Sequence, residues 1–144
     1  MKGGVLILLD ISENKINGNS LNGLSLAFIG DAVYEIMVRE HLLENGSLQV
    51  GKLHKMAVEY VRASYQADVF DFLEPIVDET ESGILHRGRN ASATLIPKGA
   101  NAIEYRKATG VEALFGWLYL EQKSERIREL FEMILEHSKK EENI

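Results

Sequence analysis

Only two prolines, Pro75 and Pro97, occur among the 144 residues of the chain. Because proline interrupts helices more strongly than any other residue, this scarcity permits long helices with few breaks. Apolar residues recur at intervals of three and four along most of the chain, which is the spacing of one helix face. We find no alternating apolar pattern long enough to build a sheet. The sequence therefore predicts an all-α fold.

The clearest predicted element is a long first helix from Leu24 to about Leu43, which Asn45-Gly46 is expected to end. Further helices are predicted over residues 52–63, 64–73, 78–86, 102–107, 111–122 and 124–137. A polar, basic and open loop is predicted from Arg87 to Gly99, and Gly110 is expected to break the chain between two helices.

Composition limits the kinds of site that the chain can build. With 45% apolar residues, it can bury the core of one ordinary domain. It contains no cysteine, which excludes disulfides, thiolate zinc sites and cysteine nucleophiles. A bound metal would therefore take oxygen or imidazole ligands, and 22 acidic residues against four histidines favour Mg²⁺ over zinc.

The net charge of −6 is unusual for a protein that binds nucleic acid, because phosphate contacts normally come from a surplus of Lys and Arg. The location of the charges matters more than their sum, and much of the acid lies in the carboxy-terminal tail and around residues 78–81. The middle of the chain carries the basic residues Lys52, Lys55, Arg62, Arg87, Arg89, Lys98, Arg106 and Lys107. A basic surface on an acidic protein is therefore expected.

The amino terminus does not have the pattern of a signal peptide. Residues 3–9 are apolar, but they form a short run without a basic stretch before it, and Asp10 follows at once. The longest uncharged apolar runs fall below the roughly 18 residues that a membrane span requires. We therefore expect a cytoplasmic protein with no membrane partner.

Gly30 and Asp31 interrupt an otherwise apolar helical stretch over residues 24–35. A carboxylate at such a position is costly if it is buried without a partner. One interpretation places Asp31 on the polar face, paired with Arg or Lys, and the other gives it a function. Gly30 favours the second, since a glycine inside a helix costs roughly 1 kcal/mol relative to alanine and usually marks a close approach.

Glu112 lies in a second such stretch, over residues 105–120. Thr109 and Glu112 have the Thr-x-x-Glu spacing of a capping box, in which the glutamate bonds to an amide at the start of its own helix. The alternative is a functional carboxylate, and the residues between 105 and 120 leave both interpretations open.

Taken together, Leu-Ala-Phe-Ile-Gly-Asp-Ala-Val at 26–33 and Glu-Ala-Leu-Phe-Gly-Trp-Leu-Tyr-Leu at 112–120 match the ribonuclease III catalytic domain in order, spacing and residue type. The chain most resembles the compact Mini-ribonuclease III branch, which lacks a separate double-stranded-RNA-binding domain. His54-Lys55, Arg87-Gly-Arg-Asn90 and Tyr105-Arg106 also resemble that branch. The resemblance covers residues 21–144 as a catalytic domain and leaves 1–20 as an amino-terminal extension with a weak match.

The resemblance implies a homodimeric helical bundle of the ribonuclease III endonuclease type, in which Asp31 and Glu112 converge on Mg²⁺. The metal would activate water, neutralise the scissile phosphate and stabilise the departing 3′ oxygen, leaving 5′-phosphate and 3′-hydroxyl ends. The implied substrate is double-stranded RNA, namely the precursor of 23S ribosomal RNA, with a ribosomal protein as a further partner. The chain departs from the family at Ala27 and Thr109, where acidic residues commonly stand.

Two groups of surface residues follow from this resemblance. We assign Arg87, Arg89 and Lys98 to phosphate contacts, because such an enzyme reads the backbone of A-form RNA more than its sequence. Second-rank candidates are His54, Lys55 and Arg62, and the alternative for each is a solvated surface charge. Cutting both strands needs two sites related by a twofold axis, with contacts expected from Leu24, Phe28 and Val33, which could instead fill the monomer core.

Two competing functions remain open at the level of sequence. One is a catalytically decayed module of the same fold that binds structured RNA or a ribosomal partner, which the missing acids at Ala27 and Thr109 favour and which Asp31 and Glu112 oppose. The other is a purely structural helical dimer, with which the acidic balance agrees.

Overall fold

A computed structural model describes residues 16–44, 46, 49–91 and 96–142. Within these ranges it contains a short 3₁₀ helix, Gly18–Ser20, six α-helices and no strand. The helices are α1 (Gly23–Glu44), α2 (Val50–Val61), α3 (Ala63–Leu73), α4 (Glu79–Ala91), α5 (Ala102–Leu120) and α6 (Ser124–Glu142). The prediction of an all-α fold is confirmed. The apolar run at 3–9 and the predicted stop at Asn45 lie outside the described residues.

Helix α5 occupies the centre of the bundle and packs mainly against α1, α4 and α3. From Ala108 to Leu118 every residue except Glu112 is buried. A helix that is buried on all sides belongs in the middle of a core, so the other helices are arranged around α5. Among the described residues, no helix combines the length and the apolar character that crossing a membrane would need.

Side-chain caps fix the starts of three helices. The Asn22 Oδ1 atom accepts from the Ser25 amide at 2.8 Å before α1, and Asn101 Oδ1 accepts from the Glu104 amide at 3.0 Å before α5. Asp78 and Glu81 form a reciprocal capping box at the start of α4. Because such caps satisfy amides that have no partner within the helix, these boundaries agree with the sequence prediction to within one residue.

Two predicted breaks are wrong, and close helix packing explains both. Helix α5 runs through Gly110 without interruption, and α4 continues through Arg87 and Arg89 to Ala91. A Cβ atom on Gly88 would lie 2.6 Å from the Ala113 Cβ atom, and one on Gly110 would lie 2.6 Å from the Leu85 carbonyl oxygen. The glycines therefore allow α4 and α5 to touch, and this packing outweighs their poor helix propensity.

The predicted capping box at Thr109 is wrong for the same reason. Thr109 lies in the interior of α5, where its Oγ1 atom donates to the Tyr105 carbonyl oxygen at 3.0 Å. The cap of this helix is Asn101. Glu112 is therefore not engaged at a helix start.

The three residues expected at a dimer contact have different environments in the monomer. Val33 is buried in the core with 3% of its surface exposed, so its assignment to a contact between subunits is wrong. Leu24 is half-buried, whereas Phe28 is 86% exposed. Of the three, Phe28 is the residue most available for a contact with another chain.

Candidate active site

Helices α1 and α5 cross at two glycines, with backbone against backbone. A Cβ atom on Gly30 would lie 1.6 Å from the Glu112 carbonyl oxygen, and one on Gly116 would lie 2.0 Å from the Leu26 carbonyl oxygen. The expectation that Gly30 marks a close approach is confirmed. The crossing brings Asp31, the next residue of α1, beside Glu112 of α5.

The carboxyl groups of Asp31 and Glu112 lie within hydrogen-bonding reach of each other. Asp31 lies at the surface and Glu112 is half-buried. Among the described residues, no Lys or Arg pairs with Asp31, so the interpretation as a surface ion pair is wrong. Two ionised carboxylates this close repel each other, so the protonated form of at least one of them is favoured.

Burial and mutual repulsion raise the pKa values of both acids. Burial raises the pKa of Glu112 to about 7, the Asp31 charge adds to the effect, and the bond from Gln66 opposes it. Burial also raises the pKa of Asp31, with a further contribution from Glu35 one turn along α1, while the bond from Glu112 opposes the rise. Glu112 therefore changes its protonation state near neutral pH, beside a second carboxyl group.

Glu35 is a third acid near the pair, and it has a partner of its own. Its Oε2 atom accepts from the Arg39 Nε atom at 2.8 Å. In the described ranges, no group of three or more His, Asp or Glu side chains is arranged to hold a metal. A cation here would therefore have two protein carboxylates, and this oxygen donor set fits Mg²⁺, which takes few carboxylates and keeps several waters.

Gln66 of α3 also belongs to this site, although the sequence analysis does not single it out. Its Nε2 atom donates to the Glu112 Oε2 atom at 3.3 Å and to the Val61 carbonyl oxygen at 2.8 Å. Gln66 is 2% exposed. The available signal is a polar residue on the apolar face of the segment 64–73, one turn before Val69 and Phe70.

The predicted RNA-binding residue Arg89 lines a basic cleft between α4 and α5, with a volume of about 280 Å³. The basic cleft is lined by Arg89, Asn90, Ile103, Arg106 and Lys107. Arg89 lies over the Phe70 ring at 5.9 Å, and the Lys107 Nζ atom pairs with Asp71 at 2.8 Å. The buried Arg106 Nε atom has no hydrogen-bond partner within the part of the chain that the structure describes.

The other predicted RNA contacts lie outside the basic cleft. Arg87 is exposed on α4, and its Nη1 atom donates to the Leu21 carbonyl oxygen at 3.2 Å. Lys98 is exposed between α4 and α5. Arg62 lies at the corner between α2 and α3, where it pairs with Glu59 at 3.3 Å.

His54 and Lys55 are exposed on α2. His54 lines a mainly apolar groove of about 210 Å³ between α1 and α2, together with Arg39, Leu42, Leu43, Val50, Leu53 and Ala57. The structure therefore does not bring the second-rank candidates together with Arg89.

Comparison with known proteins assigns this arrangement to a family. The Ribonuclease III domain family matches residues 24–123. The chain belongs to the ribonuclease III family. The matched range of this ribonuclease III domain contains both crossing helices, with Asp31, Gln66 and Glu112, and all of α4.

Relatives narrow the assignment within the ribonuclease III family. The Mini-ribonuclease 3 of Desulfitobacterium hafniense is 46% identical over 114 residues, which cover 79% of this chain and 72% of that protein. The Mini-ribonuclease 3 of Symbiobacterium thermophilum is 45% identical over 116 residues, which cover 81% of this chain and 89% of that protein. A crystal structure of a Fusobacterium nucleatum protein that is 30% identical superposes with a TM-score of 0.74. The superposition covers 83% of this chain and 95% of that protein. The resemblance seen in the sequence is confirmed, and the protein is an endoribonuclease.

Proposed function

We propose that this endoribonuclease cleaves double-stranded RNA at the Asp31–Glu112 pair with Mg²⁺, leaving 5′-phosphate and 3′-hydroxyl ends. The observation that carries the proposal is the close approach of two carboxyl groups where α1 crosses α5. The absence of a side chain at Gly30 lets the two helices approach closely enough for the carboxyl groups to meet. Asp31 and Glu112 would hold a divalent cation in their ionised forms, and its charge would offset the repulsion between them.

The two carboxylates meet the needs of a hydrated magnesium ion, which takes one or two protein carboxylates and substrate phosphate oxygens. When bound, Mg²⁺ supplies activation of water and neutralisation of phosphate charge. Ala27 and Thr109 stand where the family commonly has acids, and both are buried. Among the described residues, Asp31 and Glu112 therefore supply the ligand charge of the proposed site.

The basic cleft supports contacts with the RNA backbone. Three cationic side chains line it, and one of them, Lys107, pairs with Asp71. The Arg106 Nε atom is a buried donor, unpaired among the described residues, that a phosphate oxygen would satisfy. We propose that Arg89 contacts phosphate within the cleft and that Arg87 and Lys98 contact it outside, with His54, Lys55 and Arg62 as second-rank contacts.

Charge reversal tests this surface. A variant with Arg87→Glu and Arg89→Glu should bind duplex RNA more weakly, and its slope of log affinity against log salt should fall by about one for each phosphate that the protein no longer neutralises. Lys139→Glu with Lys140→Glu, at the exposed end of α6, is the matched control. If the Arg87/Arg89 variant had the same RNA affinity and the same salt slope as the Lys139/Lys140 control, Arg87 and Arg89 would not belong to the binding surface.

The position of Phe28 supports a homodimer. Its side chain is 86% exposed and lies one turn before Asp31, with half-buried Leu24 one turn earlier on the same side. A twofold contact between α1 helices would place two Asp31–Glu112 pairs in one particle. Cleavage of both strands of a duplex requires such an arrangement.

Kinship with the Mini-ribonuclease 3 proteins motivates a narrower proposal for the natural substrate. We infer that the natural substrate is the precursor of 23S ribosomal RNA in the cytoplasm, and that a ribosomal protein is a partner. Cells that lack the protein should accumulate 23S ribosomal RNA with unprocessed ends, which mapping of the termini would detect. Normal mature ends in such cells would contradict this substrate.

The substitution Asp31→Asn tests the catalytic proposal. It should reduce cleavage of a long RNA duplex in Mg²⁺ by about 100- to 1000-fold, because it removes one of two charged ligands. Asp68→Asn, an identical change at an exposed position of α3, should cleave at the wild-type rate. Wild-type cleavage by a folded Asp31→Asn variant would refute the metal assignment. A wild-type chain that binds the duplex in Ca²⁺ but does not cleave it in Mg²⁺ would support the decayed binding module instead.

A further inference from the structure

Gln66 is a buried polar side chain whose contacts end at the acid pair. It is 2% exposed and lies in the first turns of α3, among residues that pack into the core. Buried amides are uncommon and are normally held by several hydrogen bonds. The partners of Gln66 therefore indicate what it does.

The orientation of the Gln66 amide is fixed by what it faces. The Val61 carbonyl oxygen, 2.8 Å away, can only accept a hydrogen bond, so the Nε2 atom must point toward it. The same Nε2 atom reaches the Glu112 Oε2 atom at 3.3 Å. Turning the amide over would place its oxygen against the Val61 carbonyl. The side chain therefore presents a donor, and not an acceptor, to Glu112.

The bond to Val61 connects Glu112 to the corner between two other helices. Val61 is the last residue of α2, Arg62 has extended backbone angles, and α3 begins at Ala63. A carbonyl at a helix end lacks the partner that a following turn would supply. By bonding to it, the Gln66 amide is held in place before it meets Glu112, which limits the positions open to that carboxyl group.

The Gln66 Oε1 atom is buried and has no hydrogen-bond partner among the residues that the structure describes. An unpaired buried acceptor disfavours folding, and in native proteins it commonly marks a position where water or an ion binds. The hydration water of a cation at the neighbouring carboxylates is one source of the missing donor.

We propose that Gln66 is a positioning residue of the active site, whose amide holds Glu112 in the orientation that lets it share a cation with Asp31. This inference rests on the proposed metal role of the acid pair. A purely structural role, in which Gln66 only joins α2 to α3, is the competing explanation. The positioning role predicts that loss of the amide weakens cation binding, whereas the purely structural role predicts unchanged affinity for the cation.

The test measures cation binding directly, without RNA. Mn²⁺ replaces Mg²⁺ at octahedral oxygen sites, and the electron paramagnetic resonance signal of the free ion gives its dissociation constant. Gln66→Met keeps the length of the side chain without hydrogen bonds, and Gln66→Asn keeps the amide but is one methylene shorter. Both should weaken Mn²⁺ binding by about 10-fold or more, as loss of a group that orients a ligand typically does.

Val69→Ala is the matched control, because Val69 is a buried residue of the same helix. It should lower stability and leave the Mn²⁺ dissociation constant within about twofold of wild type. Should Gln66→Met fail to fold, Gln66→Asn gives the answer on its own. Wild-type Mn²⁺ affinity in the Gln66 variants would overturn this inference alone. If the wild-type chain does not bind Mn²⁺ or Mg²⁺ at all, the proposed function falls, and this inference falls with it.

Discussion

At Glu112, burial and a neighbouring carboxyl group both raise the pKa. Its ordinary pKa of 4.5 applies to the unfolded chain, and in the folded protein burial and Asp31 raise the pKa to about 7. Between these values the folded state binds a proton that the unfolded state does not. The contribution of Glu112 to stability is therefore fully present below about pH 4.5 and is lost as the pH rises through about 7.

Replacing Glu112 with glutamine tests this dependence, because an amide does not ionise. In the absence of divalent cations, Glu112→Gln should be more stable than wild type at pH 8, by up to about 3 kcal/mol, and nearly equal to it at pH 4.5. Urea unfolding at pH 4.5, 6 and 8 gives the difference. Glu132→Gln, an exposed change on α6, should show no such trend. A Glu112→Gln difference that is the same at pH 4.5 and pH 8 would contradict the raised pKa.

The residues of the site differ in how far the sequence predicts them. Asp31 and Glu112 are identifiable because each interrupts an apolar stretch and the two stretches together match a family. The partners of Gln66 lie in other helices, and Glu112 is 46 positions away. A residue whose role depends on such distant contacts has no local signature beyond an unexpected polar side chain in a core.

At the scale of helices, the site depends on how closely α1 approaches α5. Gly30→Ala would place a Cβ atom 1.6 Å from the Glu112 carbonyl oxygen, so the helices would have to separate. We expect a loss of about 3 kcal/mol or more in the free energy of unfolding, at the upper end of overpacking effects, together with loss of RNA cleavage. Urea denaturation and a duplex cleavage assay measure the two effects.

Gly83→Ala is the matched control for this crossing. Gly83 also lies within a helix, α4, but a Cβ atom there would meet nothing within 4 Å among the described residues. Since alanine is the better helix former, this variant should gain about 0.5–1 kcal/mol and cleave RNA normally. If Gly30→Ala behaved like Gly83→Ala, close contact between α1 and α5 would not be what holds the acid pair together.

Helix boundaries are predictable where a cap lies next to the helix in sequence, and not where tertiary packing decides. Asn101 and the Asp78–Glu81 box act within three residues, so the starts of α5 and α4 follow from local chemistry. Gly88 and Gly110 give the same local signal as a loop or a break. Only the fit of α4 against α5 shows that both glycines belong inside helices.

At the scale of the whole molecule, both acids of the Asp31–Glu112 pair lie in one chain, whereas the proposed cleavage of both strands of a duplex would need two chains. Binding of a cation and double-strand cleavage should therefore respond differently to a change at the proposed twofold contact. Phe28 allows the two properties to be separated, because its side chain is exposed and makes little contribution to the monomer core.

Phe28→Asp should weaken the proposed homodimer by about 100-fold or more, because a twofold contact would lose two buried aromatic side chains at once. Sedimentation equilibrium gives the dimer dissociation constant, and denaturing gels distinguish nicked from fully cut duplexes. Ile76→Asp is the control, because it makes a similar change at an exposed apolar residue outside α1. Its dimer dissociation constant should equal that of wild type. The Mn²⁺ affinity of Phe28→Asp should equal that of wild type, because Asp31 and Glu112 of the proposed site both belong to one chain. A dimeric Phe28→Asp variant would place the subunit contact elsewhere, and a loss of Mn²⁺ affinity on dissociation would show that the acid pair depends on the second chain.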